Sequence, residues 1–577
     1  MKITKKDFEL GKYKKKVAKT LKELDKENFI KRIWEKDSTV WKEGKEYDAL
    51  IKNRLGWLSL PLTMKNNCEE INSFVEEIRG EGFSYAVVLG MGGSSMCPEV
   101  CRETFGVEEG YLKLFVLDST DPVTIFNIEN SIDLEKTLFI VSSKSGGTIE
   151  VDSFFRYFFD KVKKIKGIDA GKQFIAITDP QTQLELTAAE NNFRKIFTNP
   201  QDIGGRYSAL SYFGLVPAAL IGIDIIKYLS NAEKMMYDCM TFKSEENPGV
   251  ITGSAIGELA KKGKDKLTFI LPFKINSFGY WVEQLIAEST GKEGKGIIPV
   301  EGEGIGKPSS YGNDRLFACF TLGKESKGEK KIIRGFVKKK FPVINIELKS
   351  VYDIAGQFYL WEFATAVMGA VLEINPFDEP NVKESKDNTG NVLCFYETNK
   401  KLPGQIPQAV KNDLIIYLDK KVFDKELMDK KKLKKRDVDD YLKFFLKQIK
   451  TGDYFAMMAY IQKNKIIENL LRKIRELIRS KKEIATTLGY GPRFLHSTGQ
   501  LHKGGAANGL FLQIISDDKK DIEIPGKPYS FGTLKLAQAI GDYESLIKHN
   551  RRVLKVNIGS DIERGLKELY KIVKKAI

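Results

Sequence analysis

Short apolar runs alternate with amphipathic helical stretches along most of this chain of 577 residues. The first set of strand candidates comprises residues 83–89, 112–117, 138–141, 174–178 and 196–198. The second set comprises residues 267–271, 297–300, 316–322 and 343–348, and a long helix over 355–372 follows it. Alternation of this kind is typical of mostly parallel sheets with helices on both faces.

The two ends of the chain differ from this pattern. Residues 1–80 are charged and helical in pattern, with an aromatic cluster at Trp34, Trp41 and Trp57, and they predict a helical arm. The stretch 375–450 is rich in turn residues and Lys, and it is interpreted as a connector with local helices. A third set of strand candidates follows at 454–461, 509–515 and 553–558, with helices from about 465, 533 and 562.

A weak internal similarity links the second and third sets. Residues 312–322, 342–348 and 358–371 form one series, and residues 491–496, 510–515 and 530–540 form another in the same order. This similarity suggests a duplicated half-domain. The length of the chain by itself favours three or four domains.

The composition narrows the classes of partner. Lys and Arg outnumber Asp and Glu by 93 to 77, a formal net charge of +16, which suits anionic partners such as nucleic acid or phosphorylated metabolites. The denser basic runs, 338–340 and 430–436, favour a solvated surface over a nucleic-acid patch. Six scattered cysteines predict free thiols in a reducing compartment.

We expect a cytoplasmic protein that needs neither a membrane nor a metal. The apolar stretch at 215–223 is far shorter than the ~20 residues of a membrane span. The first residues lack the apolar core of a signal peptide. The sequence shows no spacing of Cys, His, Asp and Glu typical of a metal site, so no cofactor is predicted.

Two loops that follow predicted strands carry the chemistry. The first, Gly-Met-Gly-Gly-Ser-Ser at residues 90–95, lets the backbone approach an anion at a helix N-terminus through Gly92, Gly93 and Ser94. Ser95 stands where a dinucleotide fingerprint has its third glycine, so that fingerprint is incomplete. A tight strand–helix turn would also need these glycines.

The second loop gives the stronger signal. Its residues, Ser143, Lys144, Ser145, two glycines and Thr148, lie between an apolar strand and a helix. Hydroxyl groups, free amides and the positive end of a helix suit a phosphate monoester, and a polar N-capping loop is the less favoured interpretation. No Walker motif is present, because the Lys precedes the glycines.

These loops resemble those of the glucose-6-phosphate isomerase family. Residues 143–148 resemble the phosphate loop of the sugar isomerase (SIS) domain, and residues 90–94 resemble the family's Gly-Ile-Gly-Gly-Ser turn. Gly-Gly-Arg-Tyr-Ser at 204–208 and the segment 283–292 are similar to two further family elements, in the same order. Residues 375–378 and 489–505 resemble the isomerase half of bifunctional transaldolase/glucose-6-phosphate isomerases.

The resemblance implies a fold and a division of the chain. The expected fold class is α/β, with two doubly wound, mostly parallel SIS-type domains, a C-terminal αβ region and an N-terminal helical arm. The implied limits are 1–80 for the arm, 81–230 for the phosphate-binding domain, 231–385 for the domain of the catalytic Glu, and 386–577 for a C-terminal region that is a possible partial SIS repeat.

The resemblance also implies the roles of the proton-transfer residues. Glu288, in the last turn of a predicted helix that ends near Gly291, matches the base that moves a proton between C2 and C1. Arg206 matches the guanidinium that stabilises the enediol intermediate, and Gly205 precedes it. Glu150 matches a family position close to substrate.

The ring-opening residues are less defined. The family uses a His in a Gly-Gln-His context with a Lys further on, but here Phe358 follows Gly356-Gln357. The segment 489–505, a predicted loop, carries His496, His502 and Lys503. The internal similarity favours His496, while Lys503 and Lys535 remain alternatives for the Lys role.

The resulting expectation is an isomerase that interconverts glucose 6-phosphate and fructose 6-phosphate, acting as a homodimer without nucleic acid. A mannose-phosphate or mixed phosphosugar isomerase has the same loops and stays open. A phosphosugar-sensing protein that binds without turnover is the alternative from another class, and the presence of Glu288 and Arg206 disfavours it.

Overall fold

A computed structural model describes residues 4–324, 326–419 and 437–577. The chain divides into two compact units. The first comprises Met1–Asp118, Asn127–Thr290 and Leu316–Asp378, and the second comprises Ser119–Phe126, Gly291–Arg315 and Glu379–Ile577. Among the helices so described, none combines the length and the apolar character that crossing a bilayer requires.

The elements are named here in chain order. The strands are β1 (Phe8–Glu9), β2 (Tyr85–Gly90), β3 (Lys113–Leu117), β4 (Thr137–Ser142), β5 (Phe174–Thr178), β6 (Lys195–Thr198), β7 (Lys266–Ile270), β8 (Ile298–Val300), β9 (Arg315–Leu322), β10 (Val343–Leu348), β11 (Ala409–Lys411), β12 (Leu414–Leu418), β13 (Tyr454–Tyr460), β14 (Ala485–Tyr490), β15 (Gly509–Ile515) and β16 (Arg552–Asn557). The helices are α1 (Lys14–Lys26), α2 (Phe29–Trp34), α3 (Lys45–Lys52), α4 (Leu60–Thr63), α5 (Cys68–Gly80), α6 (Gly93–Phe105), α7 (Pro122–Glu129), α8 (Ile149–Lys166), α9 (Gln183–Glu190), α10 (Tyr212–Leu220), α11 (Ile225–Cys239), α12 (Pro248–Ala260), α13 (Phe278–Thr290), α14 (Lys327–Lys338), α15 (Ile354–Leu372), α16 (Pro380–Asn399), α17 (Val438–Lys447), α18 (Lys465–Lys482), α19 (Gly499–Gly504), α20 (Phe531–Lys548) and α21 (Ile562–Ala576).

The α/β class with parallel sheets is confirmed. In the first unit, one sheet has the order β3-β2-β4-β5-β6, and its strands pair in parallel. Gly90 at the end of β2 lies opposite Ser142 at the end of β4. Because parallel strands end at the same edge, the two glycine- and serine-rich loops leave this sheet side by side.

The other sheet of the first unit carries β7, β9 and β10 as consecutive neighbours. β9 and β10 pair in parallel, and β1 joins β10 in antiparallel fashion through Phe8 and Glu9. The sequence did not predict β1, because two residues in a charged region carry no periodic signal. The first unit thus combines the N-terminal arm with both of these sheets, while the expected limits at 80, 230 and 385 divide the chain by sheet.

Helix α15 runs through the middle of the first unit and is buried almost throughout. It packs on α12 through a stripe of glycines at positions 249, 253 and 257. A Cβ atom at Gly253 would lie 2.4 Å from the carbonyl oxygen of Ala364 and 2.5 Å from Cβ of Val367. The missing side chain therefore sets how closely the two helices approach.

The second unit contains a sheet with the order β11-β12-β16-β15-β13-β14. Strands β13 to β16 pair in parallel, whereas β11 and β12 form an antiparallel edge. The predicted connector at 375–450 therefore holds the 20-residue helix α16 and two strands. The basic run 430–436 lies outside the described residues.

A buried lysine lies in this sheet. Lys555 on β16 is 1% exposed, and its ammonium nitrogen lies 4.8 Å from the ring centroid of Tyr417 and 4.7 Å from that of Tyr543. Burial lowers the pKa of Lys555 to about 7, and Glu544 opposes the shift. Folding therefore shifts Lys555 toward its neutral amine.

The internal similarity proposed from sequence was aligned one element out of register. Residues Arg493–His496 form a 3₁₀ turn, so they do not correspond to β9. Strand order places β15 between β13 and β16, just as β9 lies between β7 and β10 and β4 between β2 and β5. A common spatial order of strands therefore recurs along the chain.

Candidate active site

The loop after β4 presents hydroxyl groups at the start of α8. Ser143 is 3% exposed, and its hydroxyl lies 3.0 Å from that of Thr148, while Ser145 is exposed. Thr148 occupies the N-cap position of α8 without a side-chain cap hydrogen bond, whereas Thr182 and Ser211 cap α9 and α10. The amides at this helix N-terminus suit an oxyanion.

Lys144 is held by a carboxylate within the same unit. Its ammonium group pairs with Oδ2 of Asp179 and also donates to the carbonyl oxygen of Gln201 at 3.3 Å. Burial raises the pKa of Asp179, although the neighbouring Lys144 acts in the opposite direction. The positive charge of the loop is therefore balanced in this structure, and the hydroxyls and amides remain for a ligand.

The glycine turn after β2 lies against the segment that carries Arg206. A Cβ atom on Gly93 would come within 1.9 Å of the carbonyl oxygen of Gly205, so only glycine permits this approach. Gly92 has a φ of 55°, in the left-handed region. The Ser142 hydroxyl donates to the carbonyl oxygen of Ser94 at 3.4 Å. The three segments named from sequence thus meet at one edge of the sheet.

Arg206 is 3% exposed and is fixed by several acceptors. Its Nε donates to the hydroxyl of Ser289 at 2.7 Å. Its Nη2 donates to the carbonyl oxygens of Pro376 at 2.7 Å and Asp378 at 3.0 Å. A planar guanidinium satisfies such acceptors at defined angles, so its position is strongly determined.

Glu288 forms an ion pair with Arg206. The distance from Oε1 of Glu288 to Nη1 of Arg206 is 3.3 Å, and the carboxylate side chain is 10% exposed. Nε2 of Gln284, one turn earlier on α13, lies 3.2 Å from Oε2. The carboxylate is therefore buried and oriented, as a proton-transfer base requires.

Aromatic residues of the N-terminal arm pack around the residue next to Arg206. Tyr207, next to Arg206, stacks near Trp57 at 5.3 Å and Phe377 at 5.4 Å between ring centroids. Phe377 in turn meets Trp41 edge to face at 4.8 Å. Glu150, in the first turn of α8, is 3% exposed. The predicted arm is thus part of the core beneath the site.

The two candidate histidines differ in burial within the second unit. His502 is 3% exposed among the rings of Phe511, Phe494 and Tyr454. Burial, with the nearby charges of Lys503 and Arg551, holds the pKa of His502 well below its usual range. His502 is therefore a neutral core residue, whereas His496 in the 3₁₀ turn is half-buried.

Both candidate lysines are buried in ion pairs of the second unit. Lys503 has no exposed side-chain area and bonds Oδ1 of Asp542 at 2.7 Å. Lys535 pairs with Asp121 at 2.9 Å and with Asp518. The segment 489–505, which the sequence predicts as a loop, is mostly buried and contains the end of β14 and α19.

Sequence reasoning missed several residues around Arg206. Ser289 adjoins Glu288, and Gln284 precedes it by one helical turn, so spacing alone could have indicated both. The carbonyl groups of Pro376 and Asp378 carry no side-chain signal. Asp179 could be found only through the fold, because it is 35 residues from Lys144.

Metal-ligating side chains do not gather in the parts of the chain that the structure covers. No group of three or more His, Cys, Asp and Glu residues could hold an ion within those parts. The site described above contains hydroxyl, amide, guanidinium and carboxylate groups.

The family model and the relatives found by comparison with known proteins agree with one another. A family model for phosphoglucose isomerase matches residues 59–299. The glucose-6-phosphate isomerase of Carboxydothermus hydrogenoformans is 29% identical over 425 residues, which cover 63% of this chain and 91% of that protein. The probable glucose-6-phosphate isomerase of Methanococcus maripaludis is 28% identical, with 58% of this chain and 83% of that protein covered.

Solved structures share the fold. A hypothetical protein from Thermus thermophilus superposes with a TM-score of 0.56 at 23% identity, covering 66% of this chain and 96% of that chain. A glucose-6-phosphate isomerase from Chlamydia trachomatis gives a TM-score of 0.50 at 19% identity, covering 64% and 78%. The family match over residues 59–299 and these relatives show that the chain is similar to glucose-6-phosphate isomerases.

Proposed function

We propose that this protein interconverts glucose 6-phosphate and fructose 6-phosphate by proton transfer through a cis-enediol intermediate. The reaction is the one that the curated relatives' names describe. The observation that carries the proposal for this chain is the buried pair of Glu288 and Arg206, whose charged atoms lie 3.3 Å apart. An aldose–ketose isomerase needs such a base next to a fixed cation.

The phosphate group of the substrate binds the hydroxyls of Ser143, Ser145 and Thr148 and the backbone amides at the start of α8. The uncapped N-terminus of that helix supports this assignment. Gly92, Gly93 and Ser94 form the neighbouring backbone wall, and Lys144 contributes charge from its pair with Asp179. Glu150 orients the loop from within the first turn of α8.

Proton transfer follows on the open-chain sugar. The Glu288 carboxylate removes the proton from C2 of the aldose, and the electron pair of that bond forms the C1–C2 double bond while the charge moves to O1. Arg206 stabilises the resulting enediolate, since its guanidinium keeps its charge at every physiological pH. The proton of the O2 hydroxyl passes to O1, Glu288 returns its proton to C1 with the electron pair of the C1–C2 double bond, and C2 becomes the ketone.

Ring opening requires an acid at the ring oxygen. We assign it to His496, because His502 is held neutral in an aromatic core and His496 is half-buried. The Lys role is assigned to Lys503. Lys503 is fully buried and pairs with Asp542. Its proposed role is therefore to hold α19, and with it His496, in position.

The cellular setting is part of the proposal. We infer a cytoplasmic homodimer that acts on a phosphorylated hexose without nucleic acid. The exposed lysines at 338–340 are consistent with a solvated surface. The similarity of residues 489–505 to bifunctional transaldolase/isomerases remains a prediction.

The test is a coupled assay with fructose 6-phosphate that scores glucose 6-phosphate and mannose 6-phosphate separately. We expect glucose 6-phosphate to be formed at least tenfold faster. Comparable formation of mannose 6-phosphate would assign the chain to a mixed phosphosugar isomerase. Saturable binding of fructose 6-phosphate without either product would indicate a sensing protein instead.

A further inference from the structure

The second sheet of the first unit has a cavity where the first sheet has its phosphate loop. β9 occupies the place between β7 and β10 that β4 occupies between β2 and β5. The loop 143–148 follows β4, and a cavity of about 530 Å³ lies at the carboxyl end of β9, beneath α14. A volume of this size is within the range of small-molecule sites.

The floor of the cavity is polar. Thr321 on β9 is 7% exposed and lines the cavity. Asn345 on β10 also faces the cavity, and its Oδ1 is buried without a partner in the described part of the chain. Buried polar groups normally find a partner, so the Asn345 oxygen is suited to a ligand or to water, and Thr321 adds a second polar side chain to the same floor.

The walls of the cavity are cationic. Lys324, Lys330 and Arg334 line it. Lys324 and Arg334 form no ion pair with any carboxylate that the structure describes. Of the two acidic residues on the rim, Asp7 already accepts from the backbone amide of Thr4 at 2.7 Å and from its hydroxyl at 3.1 Å. The other, Glu347, is exposed to solvent.

An anion in this cavity would be held by side chains and not by the N-terminus of α14. The N-terminus of α14 is closed by a capping box, in which Ser326 Oγ accepts from the Glu329 amide at 3.1 Å and Glu329 Oε2 accepts from the Ser326 amide at 2.8 Å. Ile333 and Ile346 supply an apolar wall beside the cations. This combination suits a phosphate group attached to a small carbon skeleton.

We propose that this cavity is a second anion site, which binds a phosphorylated metabolite of about hexose size. Its three cations take the phosphate, Thr321 and Asn345 bond to hydroxyl groups, and the two isoleucines contact the carbon skeleton. None of these residues belongs to the site of Arg206 and Glu288. The proposal is therefore independent of the reaction assigned above.

The test is equilibrium dialysis of the full chain against radiolabelled glucose 6-phosphate at low ionic strength, where charge–charge attraction is least screened. The double variant Lys324→Met with Arg334→Met should bind one equivalent fewer than the wild type and keep the same kcat/KM. The matched control, Lys331→Met with Lys338→Met, removes the same charge from exposed positions of α14 outside the cavity. It should bind as the wild type does.

Two results would overturn the site. One is equal stoichiometry for the wild type and the Lys324/Arg334 variant. The other is an equal loss in the control, which would show attraction to the net charge alone. Thr321→Val is the second variant, since it keeps the shape and all charges, and it should weaken the second binding event by fivefold or more. The wild type and all variants could lack isomerase activity while the Lys324/Arg334 variant still binds one equivalent of sugar phosphate fewer than the wild type. In that case only the catalytic assignment is wrong.

Discussion

Replacement of Arg206 by Lys tests whether geometry, beyond charge, makes the site work. Arg206 contacts the Ser289 hydroxyl, the carbonyl oxygens of Pro376 and Asp378, and the Glu288 carboxylate. A compact ammonium group cannot span all of these acceptors, and we expect it to lose at least two of them.

The magnitude follows from the burial of these groups. A hydrogen bond to a charged group contributes about 1.5–3 kcal/mol, so two lost bonds amount to about 3–6 kcal/mol. At about 1.4 kcal/mol for each factor of ten, Arg206→Lys should lower kcat by roughly 10² to 10⁴-fold. KM should change much less, since the cation acts on charge that develops in the transition state.

The assay is steady-state isomerisation of fructose 6-phosphate at saturating coupling enzyme. Arg156→Lys is the matched control, because Arg156 forms an exposed pair with Asp152 on α8, at 2.9 Å and with 40% of its side chain exposed. The control should retain full activity. A value of kcat for Arg206→Lys within tenfold of the wild type would refute the argument, since charge alone would then suffice.

Three further predictions concern the rest of the molecule. The pKa of Lys555 is lowered to about 7 from its ordinary 10.5, so between these pH values the unfolded chain binds a proton that the folded chain does not bind. The contribution of Lys555 to the free energy of unfolding therefore falls as the pH drops from about 10 to 7, and it is constant below pH 7. Lys555→Met should therefore stabilise the protein by a few kcal/mol more at pH 7 than at pH 9.5 in urea unfolding, and a pH-independent difference would contradict the burial argument. Gly253→Val should lower the free energy of unfolding by at least about 2 kcal/mol, since its first carbon already overlaps the Ala364 carbonyl, while an unchanged unfolding midpoint would show that α12 and α15 can separate. His496→Asn should slow turnover of closed-ring substrate more than open-chain substrate, whereas His502→Asn should mainly lower the melting temperature, and equal effects of His496→Asn on both substrate forms would remove its role.

The sequence predicted most elements because the apolar runs of this chain are short and well separated. The strands around the phosphate loop begin and end within two residues of their predicted limits. β11 and β12 were missed, since β11 has only three residues and the short apolar run of β12 stands in a stretch otherwise rich in Lys and turn residues. β14 was missed because its buried threonines are satisfied by polar partners: Thr486 donates to Glu303 through both its amide and its hydroxyl.

The candidate site was named from the sequence at the level of residue types. Loop 143–148, Arg206 and Glu288 were named from motifs, and the fold brings Arg206 and Glu288 into one ion pair. Their supports were not predictable, because backbone carbonyls such as that of Pro376 leave no trace in side-chain chemistry. The burial of His502 and Lys503 was likewise hidden, since polar residues in a short glycine-bounded segment usually indicate an exposed loop.

The central claim is that Glu288 is the base that moves the proton. The direct measurement compares wild type and Glu288→Gln for release of tritium from fructose 6-phosphate labelled at C1, alongside binding of the same sugar. The account predicts loss of tritium release by at least 10³-fold with a dissociation constant within about fivefold of the wild type. Tritium release within tenfold of the wild type would contradict it, because another group would then take the proton.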